Sequence, residues 1–228
     1  MIKFYYSGAP NPTKVALFLE EGGLAYEPIP VDTRKGDQYK PEFLALNPNA
    51  KVPVIVDGDA TVFYSNEILL YLGEKTGKFM PPNNPKSRGE LLSWMMFVAS
   101  GVGPYSGQAV HFKHHAQEKL AYALTRYSFE AIRHFKIIDD RLAKRRYMLG
   151  DTYTVVDMAL WGWARLAAYV IGEDEWAKLS NLKRHTEEIT ARPAAARAIA
   201  LKDKHKFKAE MDDEARRNMF RHLAVGAA

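Results

Sequence analysis

The stretch NPNAKVPVIVDGDATVFYSNEILLYLGEKTG, residues 47–77, contains two short apolar runs and then a helical pattern. The runs at residues 54–56 and 61–63 flank an Asp-Gly-Asp turn, which is typical of a β-hairpin. The apolar residues after Ser65 follow helical spacing until a glycine ends the pattern. This stretch therefore predicts two paired strands followed by a helix.

The chain upstream of this hairpin predicts a βαβ unit. Residues 2–6 form a short apolar strand pattern, and residues 14–22 a helical one. Residues 25–30 predict a second strand, which its prolines place near a sheet edge. With a short helix at residues 41–46, the predicted order is β-α-β-α-β-β-α.

The chain after Gly89 shows helical patterns and no convincing strand. The clearest predicted helices are residues 91–101, 117–141, 157–170 and 176–191. We predict an α/β domain at 1–78, a linker rich in Pro and Asn at 79–88, an all-helical domain at 89–203 and a C-terminal extension at 204–228.

The composition is that of a globular protein, with 47% hydrophobic residues among 228. Its 32 basic and 27 acidic residues are interspersed, so we expect a solvated surface and no nucleic-acid partner. No run of 18 or more apolar residues appears, so we expect no membrane partner. Nucleic-acid binding through the basic C-terminal part is the alternative. The N-terminus lacks the features of a secretory signal, which predicts a cytoplasmic protein.

The chain contains no cysteine. Disulfides, thiolate metal sites and an internal Cys-x-x-C redox pair are therefore excluded. Any thiol chemistry must come from a bound small molecule.

Pro53 stands directly before the third predicted strand. A proline at this place in such an element order resembles the thioredoxin fold, where it is cis and the preceding backbone is open to a peptide-like ligand. Ser65 and Asn66 begin the next helix, whose first N–H groups suit a carboxylate. The alternative is that Ser65 serves only as an N-cap. Together these features suit a short anionic thiol peptide.

The chain resembles the cytosolic glutathione transferases over about residues 2–201. The resemblance rests on the 47–77 stretch, on YTVVDMALWGW with a capping box of Thr154 and Asp157, and on ARPAAARAI. APNPTKVALFLEE and GVGPYSGQAVHF are similar to the nu-class bacterial enzymes and the related fungal prion-type regulators. The resemblance implies a thioredoxin-like N-terminal domain plus an all-α C-terminal domain.

The resemblance also implies an activity. Glutathione would be the co-substrate of a disulfide-bond reductase or transferase, with a small disulfide or electrophile as the second substrate. No metal would be required, and the protein would be a homodimer. The rival interpretation is a non-catalytic glutathione transferase-like regulator or binding protein.

Asn11 is the residue that the resemblance places at the glutathione sulfur, because its amide can donate to a thiolate. Tyr6 and Ser7 are the alternatives, since they stand near the catalytic positions of other classes. Ala9 occupies a place where a second, hydroxyl-bearing donor often stands in the nu class.

The remaining glutathione contacts also follow from the resemblance. Tyr64 stands where an acidic residue usually pairs with the γ-glutamyl ammonium, with Glu67 or a partner subunit as a substitute. Arg126 is a ligand candidate or a surface ion-pair residue. The other predicted contacts are Gln38, Lys51, Val52, Pro53 and Ser65.

The sequence HFKHH places three histidines at the helical spacing of metal ligands, but no carboxylate completes a set. We therefore predict a role in the second-substrate pocket. That pocket is predicted to include Tyr105, Gln108 and His111. The C-terminal extension is either a packed helix or a solvated tail.

Overall fold

The computed structural model describes residues 1–221, so the last seven residues of the predicted C-terminal extension lie outside the described residues. The chain divides into two compact units. The first comprises Met1–Tyr71 and the described residues from Ala196 onward, and the second comprises Leu72–Ala195. The predicted domain and linker bounds are a finer division and stay predictions.

The first unit contains a four-stranded mixed sheet with the order β2-β1-β3-β4. Its strands are β1 (Ile2–Tyr6), β2 (Tyr26–Pro30), β3 (Val54–Asp57) and β4 (Ala60–Phe63). β1 runs parallel to β2 and antiparallel to β3, which pairs with β4 in the predicted hairpin. The hairpin turn needs Gly58, whose φ of 66° lies in the left-handed region.

Both faces of β1 are covered. Phe4 and Tyr6 are buried on one face, where their rings stack with centroids 5.5 Å apart. Tyr5 points to the other face and packs on the buried cluster of Val31, Phe43 and Val54. This alternation follows from the two-residue period of a strand.

The helices of the first unit follow the predicted order. They are α1 (Pro10–Gly22), α2 (Pro41–Leu44) and the start of α3 (Ser65–Thr76), which passes into the second unit. α2 ends two residues earlier than predicted, and a 3-10 turn at Asp37–Tyr39 precedes it. Gly23, with a φ of 63°, ends α1 through the backbone conformation that glycine allows.

The second unit is helical, as predicted. Its helices are α4 (Pro85–Phe97), α5 (Gly103–Val110), α6 (Ala121–Leu142), α7 (Val155–Ala164), α8 (Ala167–Ile171), α9 (Glu173–Ala177), α10 (Ser180–Thr190) and the start of α11 (Pro193–Ala200), with π-helical turns at Val98–Val102 and His111–His115. Among the described residues of this unit, strand-type pairing is limited to one bridge between Tyr147 and Gly150. The predicted helix at 157–170 is two helices, and the helix predicted from Trp176 begins at Ser180.

The predicted capping box at the start of α7 is confirmed. The Asp157 carboxylate accepts hydrogen bonds from the backbone N–H of Thr154 and of Met148, both at 2.8 Å. Its Oδ1 also lies 2.8 Å from Nε2 of His185, and both side chains are fully buried. The Asp157 carboxylate therefore connects α7 to α10 and to the loop that precedes α7.

The chain returns to the first unit after α11. Residues 201–221, called here the C-terminal strap, contain a 3-10 turn at Leu201–Lys204 and the short helix α12 (Asp213–Met219). None of the helices within residues 1–221 combines the length and apolar character needed to cross a membrane.

Candidate active site

The turn between β1 and α1 presents a helix N-terminus. Pro10 and Pro12 supply no N–H to the first turn of α1, whereas Asn11 between them is half-buried and carries both a backbone N–H and a side-chain amide. The Thr13 hydroxyl donates to the Ala9 carbonyl at 2.9 Å, which closes the first turn. Asn11 thus lies where the positive end of the helix dipole favours an anion.

The Tyr6 hydroxyl already has hydrogen-bond partners in the C-terminal strap. Its hydroxyl donates to the carbonyl of Leu201 at 2.9 Å and lies 2.7 Å from Nδ1 of His205. Burial, followed by the nearby Asp203, raises the pKa of Tyr6 to about 12. A tyrosine that activates a thiol instead needs a hydroxyl that is available to donate a hydrogen bond to the thiolate.

The Val52–Pro53 peptide bond is cis. Pro53 is buried at the entry to β3, Val52 is half-buried and Lys51 is exposed. The buried Asn47 donates from Nδ2 to the Lys51 carbonyl at 2.7 Å and accepts the Asn49 N–H at 3.0 Å. Asn47 therefore fixes the loop that leads to the cis proline.

The N-terminus of α3 lies in the same unit. Ser65 is the first helical residue, so it is not an N-cap outside the helix, and the Tyr64 carbonyl accepts the Ile68 N–H at 2.9 Å. Ser65 and Asn66 are buried, whereas Tyr64 is 63% exposed with a φ of 67°. Glu67, the predicted substitute acid, is also exposed.

Gln38 is only 3% exposed, and its amide already has partners. Nε2 donates to the carbonyls of Thr33 and Asn218, each at 3.2 Å. The buried Oε1 finds no hydrogen-bond partner among the described residues. Gln38 can donate to glutathione only if one of these two contacts opens.

The C-terminal strap supplies one of the two acceptors of Gln38, the carbonyl of Asn218. It holds the loop before Gln38 through Arg34, whose guanidinium donates to the Lys208 carbonyl at 2.9 Å and whose carbonyl accepts from Asn218 at 2.9 Å. The Lys208 N–H donates to Asp32 at 2.7 Å. The described part of the extension is therefore attached to the first unit by hydrogen bonds.

A cavity of about 850 Å³ lies between the β1–α1 turn and the strap. Ser7 and Ala9 line it from the turn, and Arg34 from the loop after β2. Lys202, Lys206 and Phe207 line it from the strap. The cavity therefore reaches the turn that precedes Asn11, and its lining contains the acidic Asp32 and Asp203 as well as these basic side chains.

The other predicted site residues lie in the second unit. Tyr105 packs on the His134 ring with centroids 4.9 Å apart, and His111 packs on Phe112 at 5.1 Å. Gln108 lies between them on α5. The exposed Arg126 forms an ion pair at 3.4 Å with Glu130, which is buried.

The HFKHH histidines do not cluster as ligands. His114 stacks on Tyr169 with centroids 4.0 Å apart. Within residues 1–221, no three His, Cys, Asp or Glu side chains form a group that could hold a metal ion.

Comparison with known proteins identifies the family. The model for the glutathione S-transferase N-terminal domain matches residues 1–74, and the model for the C-terminal domain matches residues 130–188. Disulfide-bond oxidoreductase YfcG of Escherichia coli (strain K12) is 37% identical over 221 residues, covering 94% of this chain and 98% of that protein. The chain belongs to the glutathione S-transferase family.

Other known proteins show a comparable similarity. Disulfide-bond oxidoreductase YghU of the same bacterium is 34% identical over 214 residues, covering 86% of this chain and 73% of that protein. A Burkholderia graminis glutathione transferase, solved with two glutathione molecules per subunit, superimposes with a TM-score of 0.82 at 34% identity and covers 87% of each chain. Glutathione transferase URE2P6 of Phanerochaete chrysosporium, solved with oxidized glutathione, gives 0.82 at 32% identity and covers 89% of this chain and 96% of that one.

Three residues of the candidate site were missed from the sequence. Asn47 has a signal, since it opens the NPNA stretch before the cis proline. Lys14 is buried against Asn66, although lysine is normally exposed, and only its place among apolar residues of α1 hints at this. Asn218 contacts Gln38 from 180 residues away, and no local pattern announces that contact.

Proposed function

We propose that this protein is a glutathione-dependent enzyme that reduces disulfides and also transfers glutathione to electrophiles. The observation that carries the proposal is the near full-length similarity to the oxidoreductase YfcG. The absence of cysteine from all 228 residues is in keeping with it, because a reacting thiol must then come from a bound small molecule, the part that glutathione plays in this proposal.

The proposed chemistry begins at Asn11. A donated hydrogen bond from its amide and the N-terminus of α1 would favour the thiolate and so lower the pKa of the bound thiol. In disulfide reduction, this thiolate attacks one sulfur of a glutathione mixed disulfide, forms oxidized glutathione and expels the other sulfur as a thiolate that takes up a proton. In transfer to a chloronitrobenzene, a carbon–sulfur bond forms and chloride leaves with its electron pair.

Glutathione binding is proposed along the first unit. Val52 would pair with the cysteinyl backbone beside the cis proline, and Ser65 would hold the γ-glutamyl carboxylate. Lys51 and Gln38 would bind the glycyl end, and Tyr64 would lie beside the γ-glutamyl ammonium. Arg126, and a second-substrate pocket with Tyr105, Gln108 and His111, are proposed on the second unit.

Finer features are part of the same proposal. They are membership of the nu class, a cytoplasmic location, a homodimeric assembly and a role in detoxification. The resemblance in APNPTKVALFLEE and GVGPYSGQAVHF supports the class.

The test is steady-state turnover of glutathione with a small mixed disulfide and with a chloronitrobenzene. We expect faster disulfide reduction than conjugation, and loss of both in Asn11→Ala. Tyr6→Phe is the matched control, and it should keep activity because the Tyr6 hydroxyl is already bound to Leu201. Loss of turnover in Tyr6→Phe alone would overturn the role of Asn11.

A non-catalytic binding protein is the second candidate. The exposed Tyr64, in place of an acid, favours it because the γ-glutamyl ammonium then lacks its usual partner. Glutathione binding without turnover of either substrate would establish this candidate and exclude the enzyme.

A further inference from the structure

Lys14 is a buried lysine that the proposed chemistry does not use. It lies in the second turn of α1 with only 2% of its surface exposed. Its Nζ donates to Oδ1 of Asn66 at 2.9 Å. Because that acceptor is neutral, it satisfies a hydrogen bond and leaves the positive charge of the ammonium uncompensated.

The described residues offer Lys14 no counter-ion. No carboxylate among them lies within ion-pair distance of its Nζ, and burial alone lowers its pKa to about 7. The acidic groups on the two helices are engaged elsewhere or exposed. Glu20 is bound by Tyr26 and Arg197, Glu21 lies at the far end of α1, and Glu67 faces solvent. A buried ammonium without a carboxylate is costly, so a compensating anion would stabilise it.

The place where an anion would bind is adjacent. Asn66 is the second residue of α3 and follows Ser65, so Lys14 reaches the helix N-terminus that the proposed function assigns to a carboxylate. We propose that Lys14, through Asn66, is a positioning residue for glutathione whose counter-charge is the γ-glutamyl carboxylate. This inference rests on the proposed function and deepens it.

The pairing links binding to protonation. When the carboxylate binds, it favours the charged form of Lys14, so the protein takes up protons near neutral pH. Affinity should then fall as pH rises through the neutral range, because a deprotonated Lys14 offers the carboxylate no charge. The thiol of glutathione would obscure this trend, and a ligand without a free thiol avoids the problem.

The test is isothermal titration calorimetry with S-methylglutathione at pH 6.5 and 8.5, in buffers of different ionisation enthalpy. For Lys14→Met we expect about tenfold weaker binding at pH 6.5, little change at pH 8.5 and loss of proton uptake. Lys14→Arg keeps the charge and should keep most of the affinity. The second probe replaces γ-glutamate by 4-aminobutyrate, which removes the carboxylate and keeps the amine, and it should bind the wild type and Lys14→Met equally.

The outcomes separate this inference from the proposed function. No binding of S-methylglutathione to the wild type at millimolar concentration would refute the function itself. Equal binding by the wild type and Lys14→Met at both pH values would overturn the role of Lys14 and leave the function standing. If Lys14→Met does not fold, proton uptake by the wild type is measured with both probes. The inference requires a larger uptake with S-methylglutathione than with the aminobutyrate probe, and equal uptake would overturn it.

Discussion

In the proposed site, Tyr64 would weaken glutathione binding without changing the local fold. The backbone at this position is left-handed and its carbonyl starts α3, so the chain path is set independently of the side chain. We predict that Tyr64→Glu lowers the glutathione KM two- to fivefold, because an exposed ion pair is worth up to about 1 kcal/mol. Steady-state kinetics at low salt measures this effect.

Tyr64→Gln is the control for that substitution, since it has the same length without the charge. If Gln lowers the KM as much as Glu does, the effect comes from removal of the tyrosine ring. An unchanged KM in both variants would contradict a role for this position in holding the ammonium.

Lys14 also makes a prediction about stability. Its pKa is about 7 in the folded chain against an ordinary value of 10.5, so between these values the unfolded chain binds more protons. The stability that Lys14 contributes to the folded chain is therefore fully present above pH 10.5, and it is lost as pH falls toward 7. We predict that the free energy of unfolding of the wild type, relative to Lys14→Met, rises by a few kcal/mol from pH 7 to pH 10.

Urea unfolding of both proteins at several pH values measures this difference and cancels the other titrating groups. Lys3→Met provides the comparison at an exposed lysine, where the difference should stay flat. Parallel curves for the wild type and Lys14→Met would show that Lys14 keeps an ordinary pKa in the folded protein.

At the scale of elements, Asp157 organises the start of α7. Its carboxylate accepts from two backbone N–H groups and from the Thr154 hydroxyl, and it meets the fully buried His185. Asp157→Ala would leave all of these groups without an acceptor. We predict a loss of at least about 3 kcal/mol in the free energy of unfolding, measured by urea denaturation.

Asp157→Asn should cost less than Asp157→Ala, because one carbonyl oxygen remains as an acceptor. Glu187→Ala, at an exposed carboxylate of α10, should change stability by less than about 0.5 kcal/mol. A similar small loss for Asp157→Ala would mean that water replaces the carboxylate.

Local signals also explain which elements could be predicted. The hairpin was predictable because Asp57 and Gly58 specify the turn, and the start of α7 because Thr154 and Asp157 form a capping box. The break after α7, at Arg165 and Leu166, was not predictable. The end of a helix is normally visible as the loss of its apolar periodicity. Because α7 is buried on every face, its sequence has no such periodicity to lose.

At the scale of the whole molecule, the first unit is built from both ends of the chain. Residues 201–221 bind the loop after β2 mainly through backbone groups of Lys208, Ala209 and Asn218. Backbone donors and acceptors are the same in every sequence, so residue types do not reveal such pairing. The roles proposed for Asn11, Val52 and Ser65 remain predictions that rest largely on resemblance, because those roles depend on a ligand.

The strap and glutathione compete for one donor in the proposed arrangement. Truncation after Lys206 removes Asn218 and keeps the contacts of Leu201 and His205 with Tyr6. Nε2 of Gln38 then gains a free N–H, which can donate to the glycyl carboxylate. We predict that truncation lowers the glutathione KM several-fold and lowers the free energy of unfolding by about 1–3 kcal/mol through the lost hydrogen bonds.

Gln38→Ala supplies the decisive comparison for this last effect. Gln38→Ala has no side-chain N–H that truncation could free. Truncation should therefore leave the glutathione KM of Gln38→Ala unchanged while it still lowers the free energy of unfolding. The four proteins form a double-mutant cycle, and the coupling between strap and Gln38 is the quantity it measures. If truncation instead raises the KM in both backgrounds, the strap contributes to glutathione binding, and the contact between Asn218 and Gln38 is a support of the site.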